Sequence, residues 1–339
     1  MENVHLVELE FYSRLHNPEY IDSIKLSGAL FDAFAHIFPS SLKDIFTKVA
    51  SGELRISSVF PKVITKKNEE IFLFPKPELP LDEKIYEEFV NEDFEEKEEF
   101  FMRVNFLKKL KKLKYVSENM LIKILNEGKY SYTLIENLFQ NNEKYCKDFF
   151  YDVLFIEDMP RVTISRISQK SGIFYEPSSY PKVRLRPFLC EKEEAIEKIN
   201  FFFFIKADEE EFERITSCLN FLEDRGLGSK YSLGYGKFRI IKTEKNSSLF
   251  KEILEKISKQ HGLKYLLSKY IPNANDSISF KDSSYNLKWL RGVVHGYALP
   301  KLLCFTEGSC IKGNIAGILD SESFKDKYTL NGKPFYLDF

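Results

Sequence analysis

The sequence predicts an α+β protein of two ferredoxin-like (RRM-like) domains, at about 1–243 and 244–339, the first carrying a helical insertion at roughly 81–151. Three observations predict it. Up to about residue 243 the elements run strand, helix, strand, then strands, helix, strand, which is the βαββαβ plan. A highly charged stretch with helical periodicity separates the two halves of that plan. Further strand-like runs fill the remainder, in a chain of 339 residues that is too long for one ordinary core.

His5 to Tyr12 alternates and is rich in Val, Leu and Phe, so it reads as the first strand. Ser27 is placed to cap a helix from about Gly28 to Phe38, which Pro39 ends. Leu54 to Phe60 reads as a second strand stopped by Pro61, and Ile71 to Phe74 is a short apolar run before Pro75, Pro77 and Pro80. In the insertion, Phe100, Val104, Leu107, Leu110 and Leu113 recur at helical spacing; Ser117 starts a helix that Gly128 stops, and Ser131 starts another. Arg161 to Ile167 and Val183 to Leu189 alternate around a turn at Gln169 to Gly172, giving a projecting basic hairpin with a small, polar tip. Phe201 to Phe204 form a central strand buried on both faces rather than an aromatic platform. Asp208 begins a helix through Phe212, Ile215, Leu219 and Leu222, and Lys237 to Lys242 is the closing strand. Beyond Thr243, Leu249 to Gln260 reads as a helix, and Leu263 to Ile271, Asn286 to Val294 and Leu299 to Phe305 as strands.

Composition excludes several classes. Hydrophobic residues are 43% and charged residues 30%, a globular balance. No apolar run approaches a bilayer span, and Met1 to Glu10 has no secretory pattern, so a cytoplasmic protein is expected. The five cysteines are scattered, with neither a zinc pattern nor a disulfide framework, and no cofactor or metal is indicated. A net charge of −1 hides signed patches: Asp82 to Glu99 holds ten acids and two lysines, and Arg103 to Lys114 holds six bases and no acid. Pro160 to Cys190 has six bases against a single acid, Glu176.

Between the second helix and the closing strand lies a glycine-rich loop, Gly226 to Gly236. Nucleotide-binding loops run from strand to helix and set phosphate on a helix N-terminus; here a helix leads in and a strand leads out. Gly226, Gly228 and Gly234 allow positive φ and close backbone approach, Lys230 and Lys237 supply positive charge for phosphates, and Tyr231 and Tyr235 can stack on bases. The same residues also suit a long structural turn.

These features resemble RAMP-superfamily CRISPR proteins, specifically subunit four of the type III-A Csm effector complex. That family reads close to GLGGKRSSGYGRF where this chain has GLGSKYSLGYGKF from Gly226 to Phe238. Arg55 to Pro61 is similar to its RISSAFP strand, FLFPKP from Phe72 to its FLPKP, KKLKKLKY from Lys108 to its KKFKKLKY, and RVTISR from Arg161 to its RxxIDR. Tyr265 to Pro272 and Glu307-Gly308-Ser309 are similar to further landmarks in order, and around Ser27 the chain has LSGALF where the family reads HSDTLF. The resemblance implies a non-catalytic subunit that holds the 5′ tag of the crRNA in a cleft lined by both domains. It also implies that the subunit joins the large polymerase-like Csm subunit to the Csm backbone RAMP subunits. It adds Ser27, Arg55, Ser57 and Ser232 to the candidate RNA-contacting residues, beside Arg161, Arg166, Lys170, Arg184 and Arg186 of the basic segment.

Two alternatives stand beside this reading. One is a RAMP endoribonuclease cutting repeat RNA, for which His16, after the first strand, is the candidate general base. The other is a protein-interaction subunit without RNA contacts.

Overall fold

The computed structural model describes residues 3–16, 21–85, 97–131, 134, 149–150, 152–184, 196–290, 293–294, 297–298, 301–320 and 329–339. The class is mixed helix and sheet, as expected. The chain opens with β1 (Val4–Phe11), β2 (Leu15–His16), α1 (Ser23–Ile37), α2 (Leu42–Ser51), β3 (Arg55–Ile56), β4 (Phe60–Thr65) and β5 (Glu70–Pro75). Then come α3 (Lys97–Lys112), β6 (Tyr115–Ser117), α4 (Glu118–Glu127), β7 (Phe149–Phe150), β8 (Asp152–Ile164), β9 (Ser171–Arg184), β10 (Ile196–Lys206), α5 (Glu209–Arg225), β11 (Phe238–Glu244) and α6 (Ser248–Lys256).

The main sheet is antiparallel, ordered β11-β1-β10-β4-β5-β6-β7, with β3 also pairing β10. Its phenylalanine strand explains the layering. Phe201 and Phe203 point into one core with Val7, Leu9, Leu30, Phe34, Ile215 and Leu219, under α1 and α5. Phe202 and Phe204 point into the other with Phe60, Phe74, Leu121, Phe250, Tyr265 and Phe335, under α4, α6 and the C-terminal residues. All four are at most 1% exposed, as a strand covered on both faces requires. Within the expected insertion, β6 and β7 extend this sheet, so that region is not purely helical. Most of the acidic run from Asp82 to Glu99 lies outside the described residues.

Several boundaries differ from expectation. Helix α1 starts five residues earlier, because the Asp22 carboxylate caps it by accepting from the Lys25 N–H at 2.9 Å. Ser27 is therefore an interior helical residue, fully buried. Pro61 does not end the second strand but sits inside β4; β5 pairs only from Lys62 onward, so no ladder to β5 is broken there. The hairpin strands are longer and turn earlier, at 165–170, where the Gln169 N–H donates to the Ser165 carbonyl and Gln169 takes positive φ. Its tip is not small and polar: Ile167 is 99% exposed. After α6, the strand runs condense into short pairs, among them β12 (Lys264–Leu266) between Cys310–Ile311 and Tyr336–Asp338. The helices capped by Ser117 and Asp208 form as read, the first stopped by Gly128. No described helix is long and apolar enough to cross a membrane.

A buried polar joint ties the first part of the chain to residues 264–339. Lys269 Nζ lies 2.6 Å from Asp22, the Lys269 N–H donates to Ser23 Oγ at 3.0 Å, and the Ser23 N–H donates to Ser58 Oγ at 2.9 Å. Ser58 Oγ in turn donates to Glu307 at 2.5 Å, and Asn331 Nδ2 donates to Ser27 Oγ at 3.0 Å.

Candidate nucleic-acid interface

Two features separate in sequence, the basic hairpin and the glycine loop, meet in space. Residues 12–14 after β1 sew them together. The Tyr12 N–H donates to the Lys237 carbonyl at 3.2 Å, the Lys237 N–H to Ser13 Oγ at 2.7 Å, and the Gly236 N–H to the Arg14 carbonyl at 2.8 Å. Strand β2 follows at once and pairs with β9 of the hairpin, Leu15 opposite Ser179 and His16 opposite Ser178.

The loop is closed at its base and open at its crown. Gly226 caps α5 at φ +97°, and the Leu227 N–H donates to the Gly236 carbonyl at 2.9 Å. A Cβ on Gly236 would lie 1.8 Å from the Leu227 carbonyl oxygen, so only glycine fits. Gly228 and Gly234 also have positive φ, but a Cβ there would meet nothing within 4 Å. Between them Tyr231–Leu233 form one 3-10 turn, and Gly228, Ser229, Tyr231, Ser232, Leu233 and Gly234 are exposed. That crown is the part of the loop whose backbone a ligand can approach.

The side chains are more constrained than the sequence suggested. Tyr235 is buried, its hydroxyl accepting from Arg161 while the Arg161 guanidinium lies 5.6 Å from its ring centroid, so it offers no free stacking face. Tyr231 remains 39% exposed but carries the Arg225 guanidinium at 4.6 Å from its ring. Arg225 is itself anchored on Asp32 of α1. Lys237 Nζ donates to the Asp224 carbonyl at the end of α5. Lys230, at φ +59°, pairs with Glu176 of β9, and Arg161 Nε lies 3.4 Å from the same carboxylate.

His16 closes this cluster. Its Nε2 donates to Glu176 at 3.1 Å, and its Nδ1 accepts from the Ser229 hydroxyl at 2.7 Å. Burial first, then the charges of Lys230 and Arg161, holds its pKa below the ordinary histidine value, so it is neutral at neutral pH. Both nitrogens are occupied in fastening the loop to the hairpin, and its basic nitrogen faces Ser229 rather than open solvent.

The remaining candidates are elsewhere. Ser27 and Ser57 are fully buried; Ser57 Oγ donates to the Ser58 carbonyl and accepts from the Phe204 N–H, which leaves both serines without surface for a ligand. Arg55 turns back onto the Val49 carbonyl at 3.3 Å. Arg166 and Lys170 are exposed in the hairpin turn. Arg184 is the last residue of β9, and Arg186 lies outside the described residues. Sequence reasoning missed Arg225, Glu176 and Gly236 as site residues. Glu176 had a signal, being the one acid in the basic segment; Gly236 had one in the Gly-Tyr-Gly spacing. Among the described residues, no group of three His, Cys, Asp or Glu side chains could hold a metal ion.

Comparison with known proteins bears on this geometry. No family model matches the chain. The curated protein "CRISPR system Cms protein Csm4" of Methanocaldococcus jannaschii is 32% identical over 131 residues, 36% of this chain and 34% of that protein. The match therefore spans about a third of that relative's length. A chain of the crystal structure of the Csm3-Csm4 subcomplex in the type III-A CRISPR-Cas interference complex superposes with TM-score 0.59 at 20% identity, covering 99% of both chains. The chain has the Csm4 fold. A chain of the Csm1-Csm4 cassette in complex with cA4 gives TM-score 0.53 at 18% identity, over 99% of this chain and 97% of that one. The resemblance read from the ordered motifs is thus borne out by the Csm4 relative over about a third of the chain and by the fold over 99% of it, and the loop and hairpin above are features of this Csm4-fold molecule.

Proposed function

We propose that this chain is the Csm4-type subunit of a type III-A CRISPR effector complex, non-catalytic, holding the 5′ tag of the crRNA. It joins a Csm1-type polymerase-like subunit to Csm3-type backbone subunits. The observation that carries the RNA reading is the meeting of two cationic elements, Lys230 of the loop and Arg161 of the hairpin, beside an open crown of positive-φ glycines. Lysine and arginine supply the phosphate contacts, and the crown lets backbone N–H groups approach them. Arg166 and Lys170 extend the basic surface along the hairpin. The partner assignment is supported by the Csm4 fold, since the similar chains come from assemblies described with Csm3 and with Csm1. We also read β11-β1-β10-β4 as the first ferredoxin-like unit, within 1–243, and residues 244–339 as a second, degenerate one.

The test is binding of tag-containing single-stranded RNA across a salt series, in the full chain or its reconstituted complex. Lys230→Ala and Arg161→Ala should each weaken binding mainly at low salt and lower the salt slope by about one unit or less. No cleavage of repeat RNA should occur. Unchanged binding in both folded variants, or cleavage lost in His16→Ala, would reject this reading; the second outcome would favour the endoribonuclease.

A further inference from the structure

Glu176 stands where the ligand's charge belongs. It is mostly buried, at 11% side-chain exposure, and three elements converge on it: His16 from β2, Lys230 from the glycine loop and Arg161 from β8. Its Oε1 faces His16 Nε2 and Lys230 Nζ, and its Oε2 faces Arg161 Nε. With His16 neutral, the cluster holds two cations and this one carboxylate. A carboxylate and a phosphodiester present similar oxygens to the same donors.

We propose that Glu176 is a specificity-determining residue: an internal carboxylate that occupies Lys230 and Arg161 until an RNA phosphate displaces it. This rests on the RNA-holding reading above. Lys230 and Arg161 are each more than a third exposed, so solvent screens their pairs with Glu176 and keeps these displaceable. A stray phosphate gains little from such an exchange. An RNA segment that also lies on the crown at Gly228 to Gly234 gains backbone contacts that a stray phosphate does not. The arrangement therefore selects against non-specific single strands at the site that binds the correct one. It also gives a role to the single acid in a segment of six bases.

The experiment compares binding of tag-containing RNA and of an equally long oligouridine to the full chain carrying Glu176→Gln, with Glu176→Ala as a second variant. Circular dichroism and urea midpoints confirm folding. Removing the charge should tighten oligouridine binding roughly fivefold at low salt and steepen its salt slope by about one unit. Tag RNA should gain less, so the preference for it narrows. Adding Lys230→Ala should erase the gain. Glu157, which pairs with Arg14 at 3.1 Å on the same hairpin, supplies the control: Glu157→Gln makes the same change in net charge and should give a smaller effect. Equal gains from Glu157→Gln and Glu176→Gln would overturn the proposal in favour of general charge. Weaker binding in both Glu176 variants would overturn it in favour of a strap that holds hairpin to loop. If the parent chain binds neither RNA and Lys230→Ala changes nothing, the RNA reading itself fails, and this inference with it.

Discussion

Gly236→Ala should collapse the base of the glycine loop, whereas Gly228→Ala should only strain its crown. At Gly236 the added methyl would sit 1.8 Å from the Leu227 carbonyl oxygen and 2.9 Å from its carbon, so backbone must move. That movement breaks the Leu227 N–H bond to the Gly236 carbonyl and the Gly236 N–H bond to Arg14, the link that leads on to β2 and the hairpin. At Gly228 the methyl meets nothing, and only the left-handed φ of +93° opposes it, a cost of about 1–2 kcal/mol. Gly236→Ala carries the same backbone cost plus the clash, and should exceed Gly228→Ala by at least about 2 kcal/mol. Urea unfolding of the two variants against the parent measures the difference. Equal midpoints would show that the loop base is not built as described.

Lys269→Met should destabilise the chain by about 3 kcal/mol, because it removes the nearer, buried counter-charge of the Asp22 carboxylate and leaves only the partly exposed Lys25 at 3.5 Å. Asp22→Asn in the same chain should recover much of the loss, since the neutral amide still caps α1. The pair also sets a pH dependence. Burial raises the Asp22 carboxyl, but the charges of Lys269 and Lys25 and their hydrogen bonds outweigh it, leaving the folded-state value below that of an ordinary aspartate. A carboxyl depressed on folding contributes stability that is present above its unfolded pKa and lost as pH falls through the folded value. The parent should therefore lose this contribution below about pH 4, and the double variant should not. Lys269 is shifted upward by Asp22 and Glu307 against its burial, so its share persists to alkaline pH. Urea midpoints at pH 7 and below pH 4 read both effects. A parent and double variant that respond alike to acid would remove the ion pair from the account.

The layering was legible because the signals were local and periodic. Four consecutive phenylalanines fit only a strand covered on both faces, and Ser117 with Gly128 and Asp208 with its downstream apolar positions marked helix ends by chemistry that does not depend on tertiary context. The start of α1 was not legible, since Asp22 and Ser27 are both good caps and only docking against Lys269 and Asn331 decides between them. The hairpin turn was misplaced because Gln169 takes positive φ without a glycine to announce it.

The glycines and cations of the candidate site were legible as residues, but what they pair with was not. Lys230 and Arg161 were named, and the 68 residues between them hid their common counter-ion. Two groups stand out among the motifs that carried the family resemblance. Those around Ser27, Arg55 to Pro61, Tyr265 to Pro272 and Glu307 to Ser309 meet at or beside the buried joint, where sequence similarity reflects packing and internal hydrogen bonds. The Gly226 to Phe238 motif meets the hairpin, whose first strand and turn hold the RVTISR motif from Arg161. Ser27 and Ser57 were expected to touch RNA because sequence similarity does not distinguish a residue kept for a joint from one kept for a ligand.

Under the proposed function, RNA should lie against the glycine loop and the hairpin of this Csm4-fold chain. Photo-crosslinking of the purified assembly, with 4-thiouridine in the 5′ tag and identification of the crosslinked peptides, tests it most directly. Crosslinks should fall in residues 226–237 and on the hairpin around 159–176. Crosslinks confined to the lysine-rich stretch from Arg103 to Lys114, or none to this chain while neighbouring subunits are labelled, would contradict it.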